Sequence, residues 1–322
     1  MTRNVVFGVG QVGRHLVDAL ACRGHDVVAV SRSGRPVPGA VCIAGDARDP
    51  AFTATVCRGA AVVYACLNAP TYDRWPDEFP PLQRGVLAGA MAAAARLVVL
   101  ENLYAYGPTR GRVLTEDLPT NPSSAKAATR AAMTAELLDA HRAGDVEVAI
   151  GRASDFFGPG TTASALGAGV FGRALAGRRA QVIGRPDQPH SYSYTPDVAA
   201  ALVTLGSDDR AAGHVWHLPI AETRSTRQIV EHVYRLAGRR PRLLAARRPA
   251  LRIIGTVDRG TRELLHTLDQ FEQPWIVDDG RYRRTFGADA TPLDDALATT
   301  VAWFRDPTID PTRHTRRHGA PR

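Results

Sequence analysis

Short and nearly unbroken apolar runs recur along the first half of the chain: Asn4-Val5-Val6-Phe7, Asp26 to Ser31, Ala40 to Ala44, Ala60 to Ala65, Leu97 to Glu101 and Val146 to Gly151. Runs of this length without polar alternation suit strands buried on both faces, as in a parallel sheet. Between them, Arg14 to Leu20, Phe79 to Arg96 and Lys126 to Ala143 space their apolar residues as helices do, with Pro80 and Pro81 expected in the first turn of the second. Alternation of this kind predicts an α/β fold with a doubly wound parallel sheet.

The second half is less regular. Thr161 to Gly177 reads as loop then helix, Ala180 to Gly184 as a short strand and Gly213 to Leu218 as strand-like. Helical spacing returns at Thr226 to Ala237, Asp258 to Phe271 and Pro292 to Phe304. No repeat or low-complexity linker divides the chain. The expected organisation is therefore a nucleotide-binding region at 1–160, a smaller substrate lobe at 161–305 interwoven with it, and a disordered basic tail at 306–322.

The chain has 322 residues, of which 44% are hydrophobic, enough to bury a core without disulfides. Its net charge of +8 is concentrated in Arg239-Arg240-Pro241-Arg242, Arg247-Arg248 and Arg313 to Arg322. No aromatic residues interleave with these runs as in a base-stacking platform, so they read as solvated surface and not as a nucleic-acid site. No apolar run approaches the ~18 residues of a membrane span, and Met1 to Asn4 lead straight into the first strand, which points to a cytoplasmic protein without a membrane partner. Cys22, Cys42, Cys57 and Cys66 lack CxxC spacing and nearby histidine clusters, so neither a metal nor a disulfide framework is expected.

The first turn carries the clearest chemistry. Gly8-Val9-Gly10-Gln11-Val12-Gly13 is a GxGxxG turn with a buried-type strand before it and an amphipathic helix after it. In a Rossmann-type fold such glycines permit a tight turn and let the backbone N–H groups at the helix start approach a pyrophosphate. The second strand ends in Ser31-Arg32-Ser33-Gly34-Arg35, where an acidic residue would bind both ribose hydroxyls. Ser31 and Arg32, with Arg35 in reserve, suit a 2′-phosphate instead, so NADP(H) is preferred over NAD(H). Past the third strand, Asp46 and Ala47 lie where an acid could accept from the adenine amino group, or Asp46 could cap the next helix. The small-residue turn from Cys66 to Pro70 brings Leu67 and Asn68 beside the nicotinamide ribose, and Arg74 and Trp75 begin a loop that could close the site.

The order of these pieces resembles the extended short-chain dehydrogenase/reductase family, which includes nucleotide-sugar epimerases and dehydratases. The likeness spans residues 3 to 305. It rests on the glycine turn, Asp46, Tyr106-Gly107, Gly158-Pro159-Gly160 and Tyr194-Thr195-Pro196-Asp197-Val198-Ala199. The resemblance implies that Lys126 holds the nicotinamide ribose and lowers the pKa of a nearby acid. It also implies that Phe156, His190 and Tyr192 face the substrate, and that the helices Phe79 to Arg96 and Lys126 to Ala143 could form a homodimer face.

Several residues depart from the family pattern. The glycine turn is one residue shorter than the usual GxxGxxG form. Where a Ser or Thr stands four residues before the Tyr-Gly tyrosine, this chain has Asn102; where a tyrosine stands four residues before the lysine, it has Pro122. Asn102 could donate its amide to a substrate oxygen or cap the turn. Tyr104, turned to the same face if the backbone stays extended, and Asp155 are the candidate proton donors. His190 stands where sugar-nucleotide enzymes often carry a phosphate-binding arginine. The expected activity is an atypical NADPH-dependent reductase or dehydrogenase acting on C=O, C=C or C=N of a small organic substrate that is not a nucleotide sugar. A cofactor-retaining isomerase, epimerase or dehydratase and a non-catalytic dinucleotide sensor are the alternatives.

Overall fold

The computed structural model describes residues 1–69, 74–256 and 258–306, without the side chains of 259 and 260. The end of the Cys66–Pro70 turn and all but the first residue of the expected tail lie outside the described residues.

The chain opens with β1 (Arg3–Phe7), α1 (Gly13–Ala21), β2 (Asp26–Ser31), β3 (Val41–Ala44), α2 (Pro50–Cys57) and β4 (Val62–Ala65). It continues through α3 (Trp75–Ala92), β5 (Arg96–Glu101), α4 (Ala125–Arg142), β6 (Val148–Arg152) and β7 (Asp155–Phe157). Next come α5 (Phe171–Leu175), β8 (Ala180–Ile183), β9 (Pro189–His190), β10 (Tyr192–Tyr194), α6 (Thr195–Ser207) and β11 (Val215–His217). The last elements are β12 (Arg224–Ser225), α7 (Thr226–Leu236), β13 (Leu243–Ala246), α8 (Arg248–Gly255), α9 (Arg259–Leu265), α10 (Asp269–Glu272), α11 (Gly280–Phe286) and α12 (Leu293–Arg305).

Seven of these strands form one sheet in the order β11-β6-β5-β4-β1-β2-β3, and every pairing within it is parallel. The unbroken apolar runs follow from burial on both faces. Val6, Val27 and Ala29 enter a core beneath α1 and α6, while Val5, Phe7, Val28 and Val30 enter the opposite core beneath α2, α3 and α4. The strand order reverses between β1 and its neighbours β4 and β2, which opens a crevice at the carboxyl ends of β1 and β4. Such a switch point is where ligands bind in open α/β sheets.

The second lobe packs its own core from Phe157, Phe171, Tyr192, Tyr194, Val230, Leu297 and their neighbours. The chain leaves the sheet at β6, builds β7 to α6, and returns to the sheet edge as β11, paired with β6. α6 lies on the main sheet, burying Val198, Leu202 and Leu205 there, and its Asp197 accepts from the N–H and Oγ1 of Thr291 at 2.8 and 2.6 Å.

Local details differ from the sequence expectation in several places. α3 begins at Trp75, so Pro80 and Pro81 lie inside the helix beyond its first turn; Trp75 and Phe79, packed edge to face at 5.1 Å, bury its start. Asp49, not Asp46, caps α2, accepting from the Ala51 N–H at 2.9 Å. The helical stretch from Asp258 to Phe271 is two short helices, α9 and α10, and at the break Thr267 Oγ1 bonds back to the Leu264 carbonyl at 3.2 Å. Tyr104 belongs to a single 3-10 turn, Tyr104–Tyr106, so the extended backbone assumed for it is absent. Among the described residues, no helix is long and apolar enough to cross a membrane.

Candidate functional site

The glycine turn follows β1 at the switch point. Gly8 has φ +91°, and a Cβ there would lie 2.6 Å from the Cys66 carbonyl oxygen. A Cβ at Gly13 would lie 1.9 Å from the Gly8 carbonyl oxygen, so these two glycines let the turn close on itself and on β4. Gly10 differs: a Cβ there would meet nothing within 4 Å, and the residue lines a cavity of about 570 Å³ with Gln11 and Val12. A turn crowded behind and open in front, at a helix start, fits a pyrophosphate.

The same cavity is walled by the strand ends. Cys66, Leu67 and Asn68 follow β4, Leu100 to Tyr104 end β5, and Ala153 to Phe156 follow β6. Trp75, Phe79 and Arg130 come from α3 and α4, and Leu264, Gln270, Phe271 and Trp275 come from the second lobe. Of the residues singled out from sequence, Gly10, Gln11, Val12, Leu67, Asn68, Trp75, Asn102, Tyr104, Asp155 and Phe156 meet at this cavity.

The residues expected to meet the adenosine follow the neighbouring strands. Ser31 closes β2, where its Oγ accepts from the Gly34 N–H at 3.1 Å; Arg32 and Arg35 are exposed. Asp46 is exposed and bound through both carboxyl oxygens by Arg48, whose hydrogen bonds hold its pKa below the usual carboxylate value, with Arg32 adding a smaller pull. Ala47 is buried, its carbonyl against Gly85 of α3.

Other expectations do not hold. Tyr192 is buried in the second lobe with its Oη 2.8 Å from Thr226 Oγ1, and it does not line the cavity because β10 turns that side chain towards α7. His190 is 2% exposed and lies behind Asp155, its Nε2 2.9 Å from Asp155 Oδ2, so it supports the wall instead of facing the space. Arg74 pairs with Glu78 across one turn at 2.9 Å and does not line the cavity. Asn102 Oδ1 accepts from the Tyr104 N–H at 3.1 Å and so caps the turn, while the residue still lines the cavity.

Lys126 is placed differently from the expectation. It is 3% exposed, donates to the Glu263 carbonyl at 2.7 Å and lies 3.4 Å from the Glu263 carboxylate, so α9 covers it. Burial pulls its pKa below the ordinary lysine value, and Glu263 opposes that shift. The cation on the cavity wall is Arg130, one turn further along α4. Arg130 is 2% exposed, 3.3 Å from Glu101 Oε1 and 4.7 Å over the Phe79 ring, and its Nε is buried without a hydrogen-bond partner. Glu101 also holds Arg152 at 3.1 Å and accepts from Thr134 Oγ1 at 2.9 Å. Two guanidinium groups therefore share one carboxylate beside the cavity. Sequence reasoning missed this cluster; the spacing of four from Lys126 to Arg130 was the available signal.

A model of the NAD dependent epimerase/dehydratase family matches residues 5–218. A dTDP-glucose 4,6-dehydratase of Streptomyces griseus is 24% identical over 218 residues, which cover 67% of this chain and 61% of that protein. The match thus spans less than two thirds of that relative. Among solved structures, a UDP-glucose 4-epimerase of Thermotoga maritima with UDP-glucose has 17% identity and a TM-score of 0.77, covering 94% of this chain and 99% of the other. A dTDP-glucose 4,6-dehydratase of Bacillus anthracis in complex with NAD has 14% identity and a TM-score of 0.78, covering 94% and 96%. A putative epimerase of Burkholderia cenocepacia has 19% identity and a TM-score of 0.78, covering 94% and 98%. At these identities the structural likeness speaks to the fold.

Proposed function

The chain belongs to the NAD dependent epimerase/dehydratase family, and from that membership we propose that it is a nicotinamide-dinucleotide enzyme of atypical short-chain dehydrogenase/reductase type, acting with NADPH as a reductase of a small organic substrate. The observation that carries the reading is the open face of Gly10 at the mouth of the cavity, with Gly8 and Gly13 packed tightly behind it. Gln11, Val12 and the N–H groups of that turn would hold the pyrophosphate. Ser31, Arg32 and Arg35 would meet a 2′-phosphate, Asp46 and Ala47 the adenine, and Leu67 and Asn68 the nicotinamide ribose. Bound there, the cofactor would supply a hydride carrier.

The chain's own residues have the remaining work. Negative charge on a reduced C=O, C=C or C=N group needs a donor or cation close by. Asn102 would offer its amide and Arg130 a permanent charge, since arginine keeps its proton in proteins. Lys126, which the resemblance sets at the family's lysine, is covered by α9, and we read Arg130, four residues further along α4, as the cation that serves the site.

A second reading is favoured by the named activities of the relatives, which are dehydratases and an epimerase. There the cofactor would stay bound and end each turnover unchanged. Calorimetry with NADPH and NADH tests the proposal first: NADPH should bind at least about tenfold tighter, and Arg32→Ala should remove most of that difference, about 1.4 kcal/mol per factor of ten. No binding of either dinucleotide would overturn both readings. With a substrate found, loss of NADPH absorbance in proportion to product supports the reductase, and turnover without it supports the epimerase or dehydratase.

A further inference from the structure

Among the described residues, the two most deeply buried histidines make parallel hydrogen bonds with different consequences. His217 places Nδ1 3.1 Å from the Asp278 carbonyl and Nε2 2.8 Å from Tyr106 Oη. A carbonyl can only accept and a hydroxyl can donate, so a neutral imidazole protonated at Nδ1 satisfies both contacts. His190 has the same first contact: its Nδ1 lies 3.1 Å from the Gln270 carbonyl. Its second partner is Asp155 Oδ2, at 2.9 Å from Nε2. An ionised carboxylate can only accept. A neutral imidazole has one N–H for two acceptors, so one contact would set lone pair against lone pair on an imidazole whose side chain is only 3% exposed.

The contacts are consistent only if the pair carries one more proton, as imidazolium with carboxylate or as imidazole with carboxylic acid. The imidazole is held rigidly enough for this to matter. It stacks on Phe271 at 5.0 Å with planes 5° apart, and packs on Tyr192 at 4.3 Å. Among the described residues, several charged groups of the neighbouring elements are already paired. Tyr192 of β10 bonds to Thr226, α10 presents Gln270 and Phe271, and Arg224 of β12 is taken up by Glu222 and Asp294. Asp269 and Glu272, the acids of α10, are bound by Arg248. Asp155 itself lines the cavity, with its side chain 19% exposed.

We propose that Asp155 and His190 form a proton store whose carboxyl end opens on the cavity, with Asp155 as the group that delivers the proton to substrate and His190 as the residue that positions and recharges it. The delivery step rests on the hydride-transfer reading; the stored proton does not. In that step the carboxyl turns about χ2, a broad torsion, and its O–H bond breaks. The electron pair stays on the carboxylate, and the proton joins the substrate atom on which negative charge has developed. Water returns a proton to the pair as product leaves.

Nitrogen-15 NMR of the cofactor-free protein, with histidine labelled, tests the store directly at pH 7.5. The His190 signals are assigned by their loss in His190→Gln. The expected result is a proton on both ring nitrogens, or an unprotonated Nε2 together with the carbon-13 carboxyl shift of a neutral Asp155. A single ring proton beside an ionised Asp155 would overturn the proposal. Asp155→Asn can still donate to a neutral Nε2 and so keeps the contact without the proton. It should leave NADPH affinity unchanged and lower kcat about a hundredfold or more, the usual contribution of a positioned acid. His190→Gln should lower kcat with KM unchanged and alter the pH profile of kcat. Unchanged kcat in both variants would overturn the delivery step, and failure of NADPH to bind would instead strike the hydride-transfer reading and leave the NMR result standing.

Discussion

His217 shows what burial does to a titrating group when its partners are neutral. It is fully enclosed, and burial pushes its pKa from 6.5 down to about 4; Arg152 adds to the shift and the Asp278 carbonyl opposes it. Between those two values the unfolded chain binds the proton that the folded protein refuses. The neutral imidazole therefore contributes its full stability above about pH 6.5, and that contribution is lost as pH falls towards 4. A shift of this size corresponds to something on the order of 3 kcal/mol. Urea unfolding at pH 7.5 and pH 4.5 should show the loss, and His217→Gln should shrink the difference between the two conditions.

At the same scale, the glycines and Asn102 could be read from sequence because their meaning depends on neighbours close in the chain. Arg130 has only its spacing of four from Lys126 as a local signal, since its wall is made by Phe79 and Glu101 from other elements. Lys126 was misplaced for the same reason: Glu263, more than a hundred residues on, covers it.

The β1–α1 turn separates folding from binding within six residues. Gly13→Ala would drive a methyl group against the Gly8 carbonyl, which is backbone and cannot yield, and should cost several kcal/mol or prevent folding. Gly10→Ala meets nothing in the protein, so it should leave the melting temperature within a few degrees. The added methyl group would stand in the cavity, so NADPH affinity should fall at least tenfold. Melting curves and calorimetry on the two variants check both statements. A Gly10→Ala protein that binds normally would move the dinucleotide away from this turn.

Elements with strong local signals were read correctly. Asp26–Ser31 was predicted to the residue because it is an apolar run buried on both faces and ended by polar residues. Those shaped by tertiary packing were misread. α3 starts at Trp75, anchored by aromatic contacts that no local pattern records, and Tyr104 folds into a 3-10 turn against the same tryptophan, their rings 6.0 Å apart. The short helices α8 and α11 have too few turns for a periodic signal and went unrecognised.

For the whole molecule, the doubly wound sheet followed from alternation alone, but the return of β11 to it did not. Three residues, Val215 to His217, carry too little pattern to say which strand they pair with. Their effect is large. Trp216, Leu218 and the α6 residues Val198, Leu202 and Leu205 complete the core on one face of the first-half sheet. A fragment ending at residue 160 would leave Ala149, Val98 and Tyr64 uncovered there. It should show secondary structure by far-ultraviolet circular dichroism without a cooperative melt or near-ultraviolet signal, the features of a collapsed but unpacked state. A sharp two-state melt for that fragment would show that the first half stands alone.

The same strand sets a timetable for synthesis. β6 leaves the ribosome with one edge paired to β5 and the other open, and β11 follows about sixty residues later. At ordinary elongation rates that edge waits several seconds. During that interval Val148, Ala149 and Ile150 offer unpaired backbone groups and apolar side chains to any passing strand. The nascent chain is thus most vulnerable to association after its glycine turn has been made and before the last strand of the seven-stranded sheet arrives, and a chaperone that shields this edge would raise the yield of folded protein more than one acting on the finished chain.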